Sequence, residues 1–118
     1  MAAPNIVNVT SIVGRTSANA LFTNTSNIIT NSAGSSTVIK VNDIMVSNYN
    51  AAAVSCNVSI NRSGVNYLIA GQISVPATST LVVLGKDTAI YLEEGDTLQA
   101  NVSTNSYSHI VSSYEIIT

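Results

Sequence analysis

The residues of this chain that could do chemistry are few and scattered. One histidine, His109, and one cysteine, Cys56, occur in 118 residues. A structural zinc site takes four ligands, chiefly Cys and His, and a catalytic nucleophile needs a base within hydrogen-bond reach. One imidazole and one thiol do not supply the first. Seventeen serines leave a Ser/His/Asp arrangement open on paper, since folding joins distant residues. His109 itself, flanked by Ser108 and Ile110, reads as a strand-surface or hydrogen-bonded histidine. Cys56 stands in AVSCNVSIN, where Val54, Cys56, Val58 and Ile60 alternate with Ser55, Asn57, Ser59 and Asn61. A period of two puts the thiol on the apolar face of a strand, where cysteine behaves as a small hydrophobe. Glu93, Glu94 and Asp96 form the one carboxylate cluster in the sequence. Calcium takes such oxygens, but an EF-hand spreads its ligands over a loop of about twelve residues, so the cluster reads as a solvated turn. The phosphate-cradling and nucleophile-elbow motifs GxGxxG, GxxxxGK[ST] and GxSxG are absent. The expectation is a protein with no catalytic residue, no cofactor and no metal, hence not an enzyme.

Binding surfaces remain. The five tyrosines, at 49, 67, 91, 107 and 114, offer apolar rings with a polar tip and suit either a sugar-stacking or contact surface or the edges of the core. Five N-x-[ST] sequons, at Asn8, Asn24, Asn57, Asn61 and Asn101, are uninformative in a chain so rich in these residues. The four basic residues, Arg15, Lys40, Arg62 and Lys86, are dispersed and the net charge is −2. That provides no stripe to neutralise a phosphate backbone, so nucleic acid is not an expected partner. The longest aliphatic run, residues 81–84, is far short of the roughly 18 residues that span a bilayer, and no membrane partner is expected. The opening MAAPNIVNVTSIVG has neither a basic start nor an unbroken apolar segment, so it does not read as a secretory signal.

The elements that would position these residues are strands. Only 8% of the residues are charged, against about 25% in an ordinary domain, while Ser, Thr and Asn make up roughly a third, a mixture of strand and turn vocabulary. So little charge gives weak electrostatic protection against self-association, which favours a protein packed against copies or partners. No window repeats apolar residues at helical spacing. Strands are expected over residues 6–13, 20–22, 27–30, 37–47, 54–61, 65–75, 80–84, 90–92, 97–103 and 109–117. Arg62, Ser63 and Gly64 mark a hairpin loop of three to five residues, with Val65, Tyr67, Ile69, Gly71 and Ile73 following on one face. Ser32 to Ser36 and the Gly95 segment mark further turns. Pro76 ends its strand or places it on an edge. The apolar phase slips by one between Ile39/Val41 and Ile44/Val46, across Asn42 and Asp43, which predicts a bulge. The pattern predicts an all-β, single-domain antiparallel β-sandwich spanning residues 1–118, jelly-roll or immunoglobulin-like, with residues 1–5 as a short N-terminal arm.

Three stretches, MAAPNIVNVTSIVGRTSANAL, ISVPATSTLVVLGKDTAIYLEEGDTLQA and the ending VSSYEIIT, resemble small virion structural proteins of tailed bacteriophages, especially those of marine cyanobacteria. The resemblance implies a compact β-sandwich subunit present in many copies on the particle, with no catalytic residues to carry over. The expectation that follows is a capsid decoration or cement subunit stabilising the head lattice. Its partners would be copies of itself, as a trimer, and the major capsid protein; it would be made in the host bacterial cytoplasm and reside in the virion. The alternative is a neck, tail or fibre component with a host-glycan-binding surface of tyrosines and Asn/Ser loops. The arm residues Ala2, Ala3, Pro4 and Asn5, which show no strand pattern, are the expected assembly contacts.

Overall fold

Alternating Val, Ile and Leu separated by Ser, Asn and Thr give strands with one apolar face, and two such faces must cover each other. In the computed structural model, which describes residues 10–105 and 107–118, nine strands do so: β1 (Ile12–Leu21), β2 (Ser26–Thr30), β3 (Val38–Asn48), β4 (Val54–Arg62), β5 (Val65–Val75), β6 (Ser79–Leu84), β7 (Ile90–Leu92), β8 (Thr97–Val102) and β9 (Ser108–Ile117). The first sheet runs β1-β9-β3-β6, with β7 also on β3, and the second runs β2-β8-β4-β5. All pairings are antiparallel. Strands β6 and β7 lie along the same side of β3, interrupted by Gly85 and a 3-10 turn at Lys86–Thr88. Counted as one broken strand they complete an eight-stranded jelly roll, which decides between the two sandwich topologies the sequence allowed. No helix among the described residues is long and apolar enough to cross a membrane.

The core lies between the sheets. Leu21, Val41, Ile44, Val46, Cys56, Val58, Val75, Leu92, Leu98 and Ile110 are fully buried, and Tyr114, Ile116, Ile60 and Leu81 pack against them. Cys56 sits on the face its alternation predicted, and burial pushes its thiol pKa up. The expected bulge is present: the β3–β9 register shifts between Val41 and Asp43. It is locked from β9, where the Ser112 Oγ donates to the Asp43 carbonyl (2.8 Å) and the Ser113 N–H to Asp43 Oδ1 (3.0 Å). The β4–β5 hairpin is tighter than expected, a two-residue loop in which Ser63 and Gly64 both take positive φ (55° and 81°), as primed turns require. Strand β5 ends at Val75, before Pro76, and is an edge strand.

One strand is placed differently. Residues 14–19, read as a connection between strands at 6–13 and 20–22, lie inside β1, which pairs with β9 residue for residue from Ile12↔Ile117 to Leu21↔Ser108. Polar residues stand on both faces of β1 because it overhangs the much shorter β2 opposite, and all but Ser17 and Leu21 are exposed. Backbone pairing holds this strand, so side-chain alternation did not reveal it. Residues 6–9 and the arm residues Ala2, Ala3, Pro4 and Asn5 lie outside the described residues.

Candidate binding and assembly surfaces

Each end of the sandwich is fastened by a buried asparagine. At the end where β3, β5 and β8 finish, Asn48 donates through Nδ2 to the carbonyls of Ala52 (3.0 Å), Val75 (3.1 Å) and Pro76 (3.2 Å), and its Oδ1 accepts the Asn50 N–H (2.9 Å). One side chain thereby ties the β3–β4 and β5–β6 connections together. At the opposite end Asn31 donates to the carbonyls of Thr37 and Leu92, both at 2.9 Å, and accepts from Ser35 Oγ (2.6 Å). A buried amide is tolerated only when its donors and acceptors are matched, and these two are.

The Asn48 end carries an aromatic patch. Tyr49 stacks on His109, with centroids 5.1 Å apart and planes at 23°, and meets Tyr107 edge-on at 5.8 Å; the Tyr49 N–H donates to the Tyr107 carbonyl. All three rings are exposed. His109 is thus a strand-surface residue held against an aromatic ring. Of the five tyrosines, Tyr49, Tyr67, Tyr91 and Tyr107 are exposed and Tyr114 packs against the core.

Beside this end, on the outer face of the second sheet, runs an open polar groove of about 520 Å³ lined by Thr23, Ser55, Asn57, Gln72, Asn101, Val102 and Ser103. Its floor follows from alternation: Val54, Cys56 and Val58 point inward, so Ser55 and Asn57 point out, and Asn57 pairs with Asn101 across the β4–β8 ladder. The wall is a bulge on β5, where Gly71 and Gln72 both stand opposite Asn57, between the pairs Cys56↔Ile73 and Val58↔Ala70. Gln72 takes φ 52°, a left-handed conformation that costs a residue with a Cβ on the order of 1–2 kcal/mol. Its N–H is received by Asn57 Oδ1 at 2.8 Å. Asn101 Nδ2 donates to the Thr23 carbonyl (3.3 Å) and the Ser55 N–H to Ser103 Oγ (3.0 Å), which fixes the remaining walls.

Apolar surface is also displayed outward. Across the outer face of the first sheet, Ala18 pairs with Val111, Val111 with Met45, and Met45 with Val82, one row through β1, β9, β3 and β6. Val82, on the edge, is 59% exposed. In the second sheet, edge strand β5 exposes Val65, Tyr67, Leu68 and Ile73, with Leu68 the most open at 65%.

The carboxylate cluster serves the fold. Arg62 closes the β4–β5 hairpin onto the β7–β8 turn through Asp96 (Nε to Oδ1 2.8 Å, Nη2 to Oδ2 2.6 Å) and Glu93 (Nη2 to Oε2 2.9 Å), and Glu94 Oε2 accepts the Ser36 N–H (2.8 Å). Asp96 also accepts the Glu93 N–H. It is buried, not solvated as the turn reading supposed, because a bidentate guanidinium and a backbone donor replace its water. Hydrogen bonding to Arg62 holds its carboxyl below the usual aspartate range, against the opposing pull of burial. Among the described residues no three His, Cys, Asp or Glu side chains gather as a metal site would need.

No protein-family profile and no characterised protein matches the sequence. Solved structures share the fold. A chain of the disulfide-linked pili that form Bacillus endospore appendages superposes with TM-score 0.52 at 13% identity, covering 91% of this chain and 87% of that one. A chain from the acid-stable capsid of Helicobacter pylori bacteriophage KHP30 superposes with TM-score 0.52 at 7% identity, covering 94% and 90% respectively. At such identities the likeness is one of fold, and the fold it establishes is the two-sheet antiparallel sandwich.

Proposed function

We propose that this chain is a non-enzymatic structural subunit of a tailed-phage virion, and within that class a capsid decoration or cement protein that binds copies of itself, as a trimer, and the major capsid protein. The observation that carries this reading is the apolar row Ala18, Val111, Met45 and Val82 across the outer face of the first sheet, on a chain with only 8% charged residues. Apolar surface continuous across a sheet face marks an interaction site, and the open edge at β5 adds a second means of joining a neighbour, by strand addition or side-chain contact. The sequence resemblance to virion proteins supports the particle, and the capsid neighbour supports it by fold analogy alone; the narrower likeness to phages of marine cyanobacteria rests on the three sequence stretches. Ala2, Ala3, Pro4 and Asn5 are proposed as further assembly contacts. Since the one thiol is enclosed in the core, contacts between copies of this chain would not be disulfide-linked. Synthesis in the bacterial cytoplasm and residence in the virion follow from the same reading.

The test is copy number and location on purified particles, by quantitative mass spectrometry of separated heads and tails and cryo-electron microscopy of both. Hundreds of copies on heads establish decoration; one ring of copies on tails and none on heads refutes it. That second outcome is what the alternative predicts: a neck, tail or fibre component with a host-glycan-binding surface, a reading favoured by the exposed patch of Tyr49, Tyr107 and His109.

A further inference from the structure

We infer that the groove on the outer face of the second sheet is a binding site for a neutral oligosaccharide. Two properties of its lining select that ligand class. First, no lining residue is ionisable, so the groove has no charge with which to hold a phosphate, a carboxylate or an ammonium group. Second, its polar groups are only partly matched within the protein. Asn57 uses its Oδ1 for the Gln72 N–H and leaves both Nδ2 hydrogens unpaired among the described residues. Asn101 uses its Nδ2 for the Thr23 carbonyl, and its Oδ1 has no hydrogen-bond partner among the described residues. The Gln72 amide and the Ser55 and Thr23 hydroxyls add groups that both donate and accept. A surface offering donors and acceptors side by side, fixed by their other hydrogen bonds, matches vicinal hydroxyls, each of which donates and accepts in turn.

The local backbone points the same way. Gln72 occupies a left-handed position on a bulge beside Gly71, where glycine would sit without strain. Bulges re-aim side chains, and residues held in sparsely populated conformations gather at ligand sites. The volume, about 520 Å³, falls within the roughly 300–1,000 Å³ of small-molecule sites. This inference deepens the neck, tail or fibre reading by naming the site and the ligand class, and the two can fail separately: titration of the isolated chain tests the groove, whereas adsorption of particles to cells tests the appendage.

The experiment is a ¹H–¹⁵N titration of the full chain with maltotriose, cellotriose and chitotriose, following the side-chain amide signals of Asn57, Gln72 and Asn101. The expected result is saturable movement of those three amides with at least one trisaccharide, with Kd near ~1 mM or tighter. Asn57→Asp keeps an acceptor for the Gln72 N–H, replaces the two Nδ2 donors by a second acceptor oxygen and brings a negative charge into the groove. It should weaken binding about tenfold or more while the melting temperature stays close to the parent's, and Gln72→Ala should weaken it comparably. Absence of saturable movement with all three sugars at ~20 mM, movement that maps elsewhere, or parental affinity in both variants overturns the proposal.

Discussion

Replacing Asn48 by alanine should lower the melting temperature by about 12 °C. Its Nδ2 has two hydrogens shared among the carbonyls of Ala52, Val75 and Pro76, and its Oδ1 holds the Asn50 N–H. Counting two donor bonds and one acceptor bond at roughly 1 kcal/mol each gives a loss of about 3 kcal/mol. An unfolding entropy of about 2.1 cal/mol/K per residue comes to ~0.25 kcal/mol/K for this length, so the loss converts to the stated shift. Thermal unfolding followed by circular dichroism, with a urea titration at 25 °C, measures it. The control is Asn50→Ala: the bonds at residue 50 are made by its backbone, the N–H to Asn48 and the carbonyl to the Thr78 N–H, so the change should stay within about 0.5 kcal/mol. A fall below ~4 °C for the Asn48 variant, or an equal fall in the control, refutes the assignment of Asn48 as the fastening of that end. The variant should also shift the His109 ring-proton signals, since Tyr49, which stacks on that ring, is the next residue.

Acid should destabilise the fold through Asp96. Its folded pKa lies below the unfolded value of about 3.9, so its contribution is complete above that value and is lost as pH falls through the folded pKa; a melting curve steepening below about pH 4 is expected, and Asp96→Asn should flatten that decline. Leu68→Lys on the β5 edge should leave the melting temperature within a few degrees while reducing self-association measured by analytical ultracentrifugation at high protein concentration; unchanged association would exclude this edge. Gln72→Gly removes about 1–2 kcal/mol of left-handed strain and adds back roughly 0.5–1 kcal/mol of unfolded-chain entropy. The expected net gain is near ~0.5–1 kcal/mol, a rise of a few degrees, combined with weaker sugar binding. The Cys56 thiol should resist an aromatic disulfide reagent in the folded protein and react fully in urea, with rapid native labelling as the contrary result.

What could be read from the sequence was what depends on local period. Alternation in AVSCNVSIN placed Cys56 and its neighbours in the core, the slipped phase around Asn42 and Asp43 located the β3 bulge, and Ser63–Gly64 marked the hairpin. What could not be read depends on distant pairing. The jelly-roll order alternates sheets at almost every connection, and nothing local records which sheet a strand joins. β1 was displaced because residues 14–19 have no apolar face to show; their ladder partners on β9 lie about a hundred residues away. Asn31 follows the last residue of β2 and Asn48 is the last residue of β3, and their role as buried fastenings depends on carbonyls 61 and 27 residues away. The groove was illegible for the same reason. Asn57 and Asn101 meet through the β4–β8 register, and no spacing rule relates positions 57 and 101. The one signal available was the outward-facing Ser/Asn phase of β4, which says only that the face is polar.

The assembly reading and the sugar-site reading do not compete for surface. The apolar row through Ala18, Val111, Met45 and Val82 lies on the outer face of the first sheet, and the groove lies on the outer face of the second. In a two-layer sandwich those faces point in opposite directions. A subunit seated on a particle by the first would therefore hold the second toward solvent. The scarcity of charge has one cause under both readings: a face to be covered gains nothing from charges that must be desolvated, and a face that grips neutral hydroxyls works through amides. The same economy extends to the interior, where uncharged Asn31 and Asn48 fasten the ends and the described ion pairs are confined to Arg62 with Glu93 and Asp96. A fold held this way should change little with salt, because amide hydrogen bonds are not screened. Among the described ion pairs, a salt-dependent loss of stability would arise chiefly at the exposed Arg62–Glu93 contact, and Glu93→Gln should reduce it.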